Sequence, residues 1–323
     1  TALYHWVTDN SRMFHVGPLF VENAMCEALA NALLYSDGAL HLLRESIVGT
    51  RRGISLARLA EKQKTINSVL STWAQLDASF SKSSTPTAGL VGILSNASSG
   101  DVTWIDDYRY VNAIATKAAK VKKGLKFTGP ESGETRPVNS RKDNNQYGFV
   151  NYDFTIVATV FIHQVPKGSS SLLGASLGDG SGKKIIGLLF GVNKTWETVF
   201  VGTKAPDSNW EPGREHQEAL MLQGGNKGSV YADGVVVGSS ETIPTVGTLG
   251  HEITHFHIGG DEGGSGSDVT VTNVFLYNDP LSVGELTMVK KSDGKKGNGD
   301  GSMRGGVSQL LLLLGLCGFL ALD

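Results

Sequence analysis

The stretch GHEITHFHIGG, residues 250 to 260, admits two readings that lead to different folds. Read as HExxH, His251-Glu252-Ile253-Thr254-His255 belongs on a helix, because only 3.6 residues per turn brings imidazoles at i and i+4 onto one zinc, with the Glu as general base. Gly247 and Gly250 upstream and Gly259 and Gly260 downstream leave roughly eight residues, where a helix needs about 10 to 12. Read as a strand, Ile253, His255 and His257 fall on one face and Thr254, Phe256 and Ile258 on the other. Residues i and i+4 then lie about 13 Å apart and cannot share one ion. The strand reading is preferred, and with it neither a metal site nor a cofactor is expected.

The rest of the chain extends this reading. Its 323 residues are 40% hydrophobic and 19% charged, ample for a core and for two domains. A formal net charge of -2 gives no reason to expect a nucleic-acid partner. The 41 glycines lie mostly between short alternating apolar runs, which points to strands joined by tight turns. The two cysteines are Cys26 and Cys317, the second in an apolar tail, so no disulfide is expected in the mature chain. The start, TALYHWVTDN, lacks an initiator Met, a basic n-region and an apolar h-region, and the expectation is a fragment that begins inside a domain.

Residues 14 to 46 read as a β-meander in which Ser36-Asp37-Gly38 makes a hairpin turn between ALLYS and ALHLL. Such a piece needs neighbours to cover its faces. From Ile54 to Phe80, Leu56, Leu59, Ile66, Val69, Leu70, Trp73, Leu76 and Phe80 recur at steps of three and four, which predicts a helix over 54–82. About ten strands follow, among them FTIVATVFI (154–162), KIIGLLFGV, HQEALMLQ, HFHIGG and VTVTNVFLY, with Asp233-Gly234 as a second hairpin turn. Their spacing predicts an antiparallel sandwich over 83–291. Asp261, Glu262 and Asp268 lack the regular spacing of a calcium loop and read as a solvated loop.

Residues 292 to 323 run from a polar, Gly-rich stretch into an apolar segment, Leu310 to Leu322, that is shorter than the ~20 residues needed to cross a bilayer. That is the grammar of a glycosylphosphatidylinositol attachment signal. Asp300, Gly301 and Ser302 make the small-residue triplet, with Asn298 as the alternative, so 292–300 is expected to be a polar stalk and 301–323 the removed signal. A secreted chain makes two sequons credible, at Asn96 and Asn193.

VTVTNVFLYNDPL, 269 to 281, resembles the subterminal motif VTVxNVxLYNR of the trypanosomal trans-sialidase superfamily. Agreement is dispersed along the chain: LLYSDGALHLL, INSVLSTW, PTAGLVGILSNASS, WIDDYRYVNA, GLKF, FTIVATVFIH, LLGASLG, Trp210-Glu211-Pro212-Gly213 and GSVYADG. The resemblance implies a mainly β architecture: a six-bladed sialidase β-propeller of which 1–53 would be the C-terminal end, a long connecting helix (54–82), and a concanavalin A/laminin G-like antiparallel β-sandwich (83–291). Sialidases of this class use a Tyr nucleophile, an Asp acid/base and three arginines, most of which would lie upstream. The nucleophile position, five residues before Tyr35, is Ala30. Tyr110 stands where the family often has Cys, and Asp279 where it has Arg.

What the resemblance implies about function is a lipid-anchored surface glycoprotein without catalysis, acting in adhesion to host cell-surface or matrix glycoproteins, sialylated glycans among them, and in immune interaction. The alternative is an exo-α-sialidase or trans-sialidase. Binding is implied for the motif residues Val269, Val271, Asn273, Phe275, Leu276, Tyr277, Asn278 and Asp279. Period 2 places Val269, Val271, Phe275 and Tyr277 on one face and Thr270, Thr272, Val274 and Leu276 on the other, which also describes a buried strand. Buried side chains cannot meet a receptor, so binding there would need an exposed edge or the flanking loop.

Overall fold

The computed structural model describes residues 2–289 apart from 10, 22–25, 49, 100–102, 110–111, 123, 130–131, 141–144, 147, 179–183, 201–202, 244–251 and 261–266. Asp300 and the expected stalk and anchor therefore lie outside the described residues, as do Tyr110, His251, Asp261 and Glu262. The chain divides into two compact units between Gln75 and Leu76.

In the first unit, β1 (Ala2–Thr8) and β2 (Met13–Val21) form an antiparallel ribbon. Strands β3 (Cys26–Ser36), β4 (Ala39–Val48) and β5 (Arg51–Arg58) form an antiparallel sheet. Asp37 and Gly38 both adopt positive φ, 52° and 73°, the type I′ geometry whose twist matches the strands that it joins. Helix α1 (Ala60–Lys82) follows. It does not begin at Ile54 as expected. Ile54, Leu56 and Arg58 alternate with period 2 and pair with Glu45, Leu43 and His41 of β4. Backbone pairing with β4 overrides a three-residue step, Leu56 to Leu59, that imitates a helical period.

Within this unit α1 buries Ile66, Val69 and Trp73, at steps of three and four, and the Arg12 guanidinium lies 5.5 Å from the Trp73 ring centroid. Gln63 holds the β3–β4 turn: its Nε2 donates to Gly38 O at 2.6 Å, and its Oε1 accepts from Leu40 N at 3.1 Å. Glu61 in the first turn and Lys82 in the last complement the helix dipole. One face of the three-stranded sheet carries Leu34, Leu43, Ile54 and Leu56, which are 51%, 42%, 78% and 60% exposed.

The second unit begins with β6 (Leu90–Ser99), β7 (Thr103–Asp106), β8 (Ala113–Thr116), β9 (Ala118–Val121), β10 (Gly124–Gly129), β11 (Gly133–Pro137), β12 (Asn139–Ser140) and β13 (Asn145–Gln146). It continues with β14 (Phe154–Ile162), β15 (Ser170–Leu177), β16 (Lys184–Phe190), β17 (Thr195–Phe200), β18 (Thr203–Asn209) and β19 (Glu215–Gln223). Then come β20 (Lys227–Ala232), β21 (Val235–Ser240), β22 (Ile253–Ile258), β23 (Ser267–Tyr277) and helix α2 (Val283–Met288). Among the described residues sixteen of these strands form one antiparallel sheet in the order β18-β17-β16-β15-β22-β11-β8-β7-β6-β23-β14-β19-β20-β21, with β10 also paired to β23 and β9 paired to β10. The sheet folds over so that its two halves share one core. Leu173, Leu188 and Phe256 come from one half, and Ile156, Leu220 and Val230 from the other. FTIVATVFI reads as a nearly unbroken apolar run because β14 is covered on both faces.

The fold-over is held by β6, β7 and β11. Asp106 on β7 and Arg136 on β11 form an ion pair with both side chains fully buried. The Asp106 carboxylate also accepts from the backbone N–H of Ile93 and of Tyr108, each at 3.0 Å. Trp104 donates its indole N–H to Ser95 O, and Tyr108 its hydroxyl to Asp77 at 2.7 Å. Room for the pair comes from Gly92 on β6, where an added Cβ would lie 2.3 Å from Arg136 Nη2 and 2.9 Å from Asp106 Oδ2.

A second buried carboxyl has no such support. Glu218 on β19 lies between Ala158 of β14 and Ala232 of β20, on the core side with Leu220, and neither carboxyl oxygen has a hydrogen-bond partner. Burial, reinforced by Asp233 and opposed by Arg214, holds its pKa well above the ordinary value of 4.5. The folded state keeps a proton that the unfolded chain releases near that pH. This contribution to stability is fully present below pH 4.5 and is lost as pH rises through the raised folded value.

Two outcomes follow from these charges. Gly92→Ala should cost about 3 to 5 kcal/mol, the range for splitting a buried pair, seen as a lower urea midpoint. Glu218→Leu should raise the unfolding free energy at pH 8 by about 1 to 3 kcal/mol, seen as a higher urea midpoint, and raise it less at pH 4, which flattens the pH profile.

Candidate functional site

The motif strand β23 is interior. It pairs with β14 along one side; along the other it pairs with β10 over 267–271 and with β6 over 274–277. Val269, Val271, Leu276 and Tyr277 are wholly buried, Phe275 is 1% exposed and Asn273 4%. The expected faces are corrected by a register shift: Thr159 pairs with Asn273 but Val160 with Val271, so that Thr272 is an extra residue. The alternation therefore inverts at the bulge. Val269, Val271, Val274 and Leu276 share the main core, while the Phe275 ring meets Phe80 of α1 edge-on at 5.7 Å. Tyr277 donates its hydroxyl to Pro86 O at 3.1 Å, and burial pushes the phenol pKa up.

The flanking loop is the part of the motif that reaches the surface. Asn278 N donates to Gly89 O at 2.8 Å. The Thr155 hydroxyl donates to Asp279 O at 2.8 Å and accepts from Leu281 N at 3.0 Å. Ser282 starts α2 with a capping box: its Oγ accepts from Glu285 N, and its N–H donates to Glu285 Oε2 at 2.9 Å. The Ser282 hydroxyl also donates to Glu285 Oε2 at 2.7 Å, and this bond, together with that from Ser282 N, holds the Glu285 carboxyl below its usual pKa. With the backbone pinned, Asp279 is exposed, as are the apolar side chains of Val283 and Met288 on α2.

The other candidates are scattered. Asn193 is exposed in the turn between β16 and β17, whereas Asn96 lies on β6 with its side chain outside the described residues. Ala30 sits on β3 opposite Glu45, and its methyl group cannot attack a substrate. HFHI is a strand, β22, between β15 and β11, with Glu252 exposed ahead of it. Its faces also differ by one residue from the simple alternation: a shift at Ser176/Leu177 turns Ile253 into the core with Phe256 and Ile258. Among the described residues no group of three His, Cys, Asp or Glu is placed to hold an ion. Asp268 forms an ion pair with Lys126 at 3.0 Å. Sequence reasoning missed the Asp106–Arg136 pair. Its only trace is a pair of charged residues in short segments, which has no periodicity to find.

Comparison with known proteins supplies a context. Residues 86–284 match the family model described as the C-terminal domain of trans-sialidase, and 300–322 match the hydrophobic C-terminal segment of Trypanosoma trans-sialidase. Sialidase 85-1.1 of Trypanosoma cruzi is 45% identical over 305 residues, 90% of this chain and 40% of that protein. Trypanosoma cruzi trypomastigote decay-accelerating factor is 43% identical over 68 residues, 20% of this chain and 72% of that one. Among solved structures, Trypanosoma rangeli sialidase with 2,3-difluorosialic acid superposes with a TM-score of 0.81 at 35% identity, over 89% of this chain and 48% of that one. The chain thus spans less than half the length of Sialidase 85-1.1 or of the solved sialidase.

If β23 is structural and the loop is the surface, substitutions should separate. Phe275→Ala should cost about 3 to 5 kcal/mol of stability and Tyr277→Phe about 1 kcal/mol, measured by urea unfolding. Asp279→Ala should stay within about 0.5 kcal/mol of the parent.

Proposed function

Because the chain belongs to the trans-sialidase superfamily, we propose that it is the C-terminal part of a surface glycoprotein that recognises its ligands and does not process them. The observation that carries this reading is Ala30, at the position where the family resemblance calls for the nucleophilic tyrosine. Without a hydroxyl there, the covalent sialyl intermediate of this class cannot form. In this reading 1–53 close a sialidase β-propeller, whose neighbouring blade covers the apolar face that Leu34, Leu43, Ile54 and Leu56 leave exposed. The two-layered second unit is a concanavalin A/laminin G-like sandwich, which presents the loop around Asp279 to host-cell or matrix glycoproteins.

The C-terminal match over 300–322 supports a membrane-proximal location. We read that segment as a lipid-attachment signal exchanged for an anchor at Asp300, with glycans on Asn193 and Asn96. The solved Trypanosoma rangeli sialidase, captured as a covalent intermediate with difluorosialic acid, favours the second reading, an exo-α-sialidase or trans-sialidase.

One assay separates the two. A full-length protein carrying this chain should neither release sialic acid from a sialylated glycoprotein nor transfer it to a galactoside, and release or transfer would establish the enzyme reading instead. The same protein should bind host cells saturably, and Asp279→Lys should weaken that binding several-fold while leaving the urea midpoint unchanged. Absence of saturable binding would remove adhesion.

A further inference from the structure

The imidazole of His216, at the start of β19, has no exposed side-chain surface and lies between two hydrogen-bond acceptors. We propose that His216, protonated on both nitrogens, latches the edge hairpin β20–β21 to the rest of the sheet, and that the latch closes in mild acid and opens as pH rises. On one side Nε2 is 2.8 Å from Glu211 O, a carbonyl oxygen with no proton to give. On the other, Nδ1 is 3.0 Å from Asp233 Oδ2. Further donors hold Asp233 as a carboxylate: Gln217 N–H reaches Oδ1 at 2.9 Å and Arg214 Nη2 reaches Oδ2 at 3.0 Å. Burial pushes the Asp233 pKa up, but the hydrogen bonds from His216 and Gln217 and the charges of His216 and Arg214 outweigh it, and the net direction is down. A neutral imidazole has a single N–H. Whichever nitrogen keeps it, the other turns its lone pair toward an acceptor in a place sealed from water.

What the latch joins follows from the chain. Glu211 succeeds Trp210, whose indole is anchored in the core against Phe190 and Trp196, with ring centroids 5.5 and 6.1 Å apart. Asp233 opens the β20–β21 turn at a φ of 51°, and its N–H donates to Gln217 O at 2.7 Å. Beyond that turn β21 ends the sheet and leaves Val235 and Val236 exposed. The ring therefore ties an anchored turn to the hairpin that closes the sheet edge. Trp196 of β17 meets it edge-on at 5.4 Å and brings no charge. The charged groups around it are Asp233 from the hairpin, Arg214 and Glu211 from the preceding turn, and Glu218, two residues along β19 on the same face. Two signs follow. The Asp233 contribution is present above its ordinary value of 3.8 and is lost as pH falls through the lower folded value, while the imidazolium is lost on the alkaline side, in the range where histidine titrates. Ionisation of Glu218 also loosens β19 as pH rises, so the test must separate the two.

Amide hydrogen exchange of the whole chain at pH 5 and pH 8, corrected for the intrinsic rates, reads the latch directly, with a melting curve to verify that each variant folds. Protection of the β20 and β21 amides should fall about tenfold from pH 5 to pH 8 relative to those of β15 and β16. Nitrogen NMR at pH 5 should show both His216 nitrogens protonated. In His216→Gln, and separately in Asp233→Asn, the hairpin should already exchange at pH 5 as the parent does at pH 8. Glu218→Gln should keep most of the difference. Unchanged pH dependence in the two latch variants, its disappearance in Glu218→Gln, or equal relative protection of the parent at both pH values would overturn the latch.

Discussion

The second unit hangs from the ion pair between Asp106 and Arg136. Both side chains are sealed from water, so their mutual attraction and the hydrogen bonds to Asp106 must offset a desolvation cost of several kcal/mol per ion. Such a pair tolerates little displacement, and its value is positional. Arg136 belongs to β11, which carries β22 and β15 and hence one half of the sheet, and Asp106 belongs to β7, next to β6 and the other half. Fixing these two side chains to one another fixes where the sheet folds over. Gly92 completes the constraint, because the guanidinium occupies the space in which any side chain on that residue would stand.

Much of the architecture was legible in the sequence, and what was not has identifiable physical causes. Strands covered on both faces, such as FTIVATVFI, announce themselves by continuous apolar runs, and the Asp37-Gly38 and Asp233-Gly234 turns by the positive φ that each of them adopts. The helix was legible in its body but not at its start, since Ile54, Leu56 and Leu59 satisfy either period until β4 is there to pair with them. Period-2 arithmetic failed at two places, Thr272 in β23 and Ile253 in β22. At both, one extra residue changes which face is inward, and the residue carries no compositional mark.

Site chemistry was less legible than fold. Residues Ile253 to His257 of the HEITH region lie on a strand, as the glycine spacing leads one to expect, and there the ring of His255 has a neighbour, His257, that the HExxH pattern does not count. Membership of the trans-sialidase superfamily could be read from dispersed blocks, because many weak agreements outweigh one strong motif. The motif that names the family says least about contact with a ligand. Packing accounts for Val269 through Tyr277, and only at Asn278 and Asp279 does the chain return to the surface.

The depth of β23 bears on how the motif can be studied. In the native protein its backbone is engaged on both sides, by β14 and by β10 or β6, and its side chains face other side chains. A synthetic peptide of sequence VTVTNVFLY would have its backbone paired with water alone and its apolar side chains exposed. It would behave as a loose β-strand that seeks any complementary edge or apolar surface. Its adhesion to cells would describe the peptide, and antibodies raised against it would recognise unfolded chains in preference to the native protein.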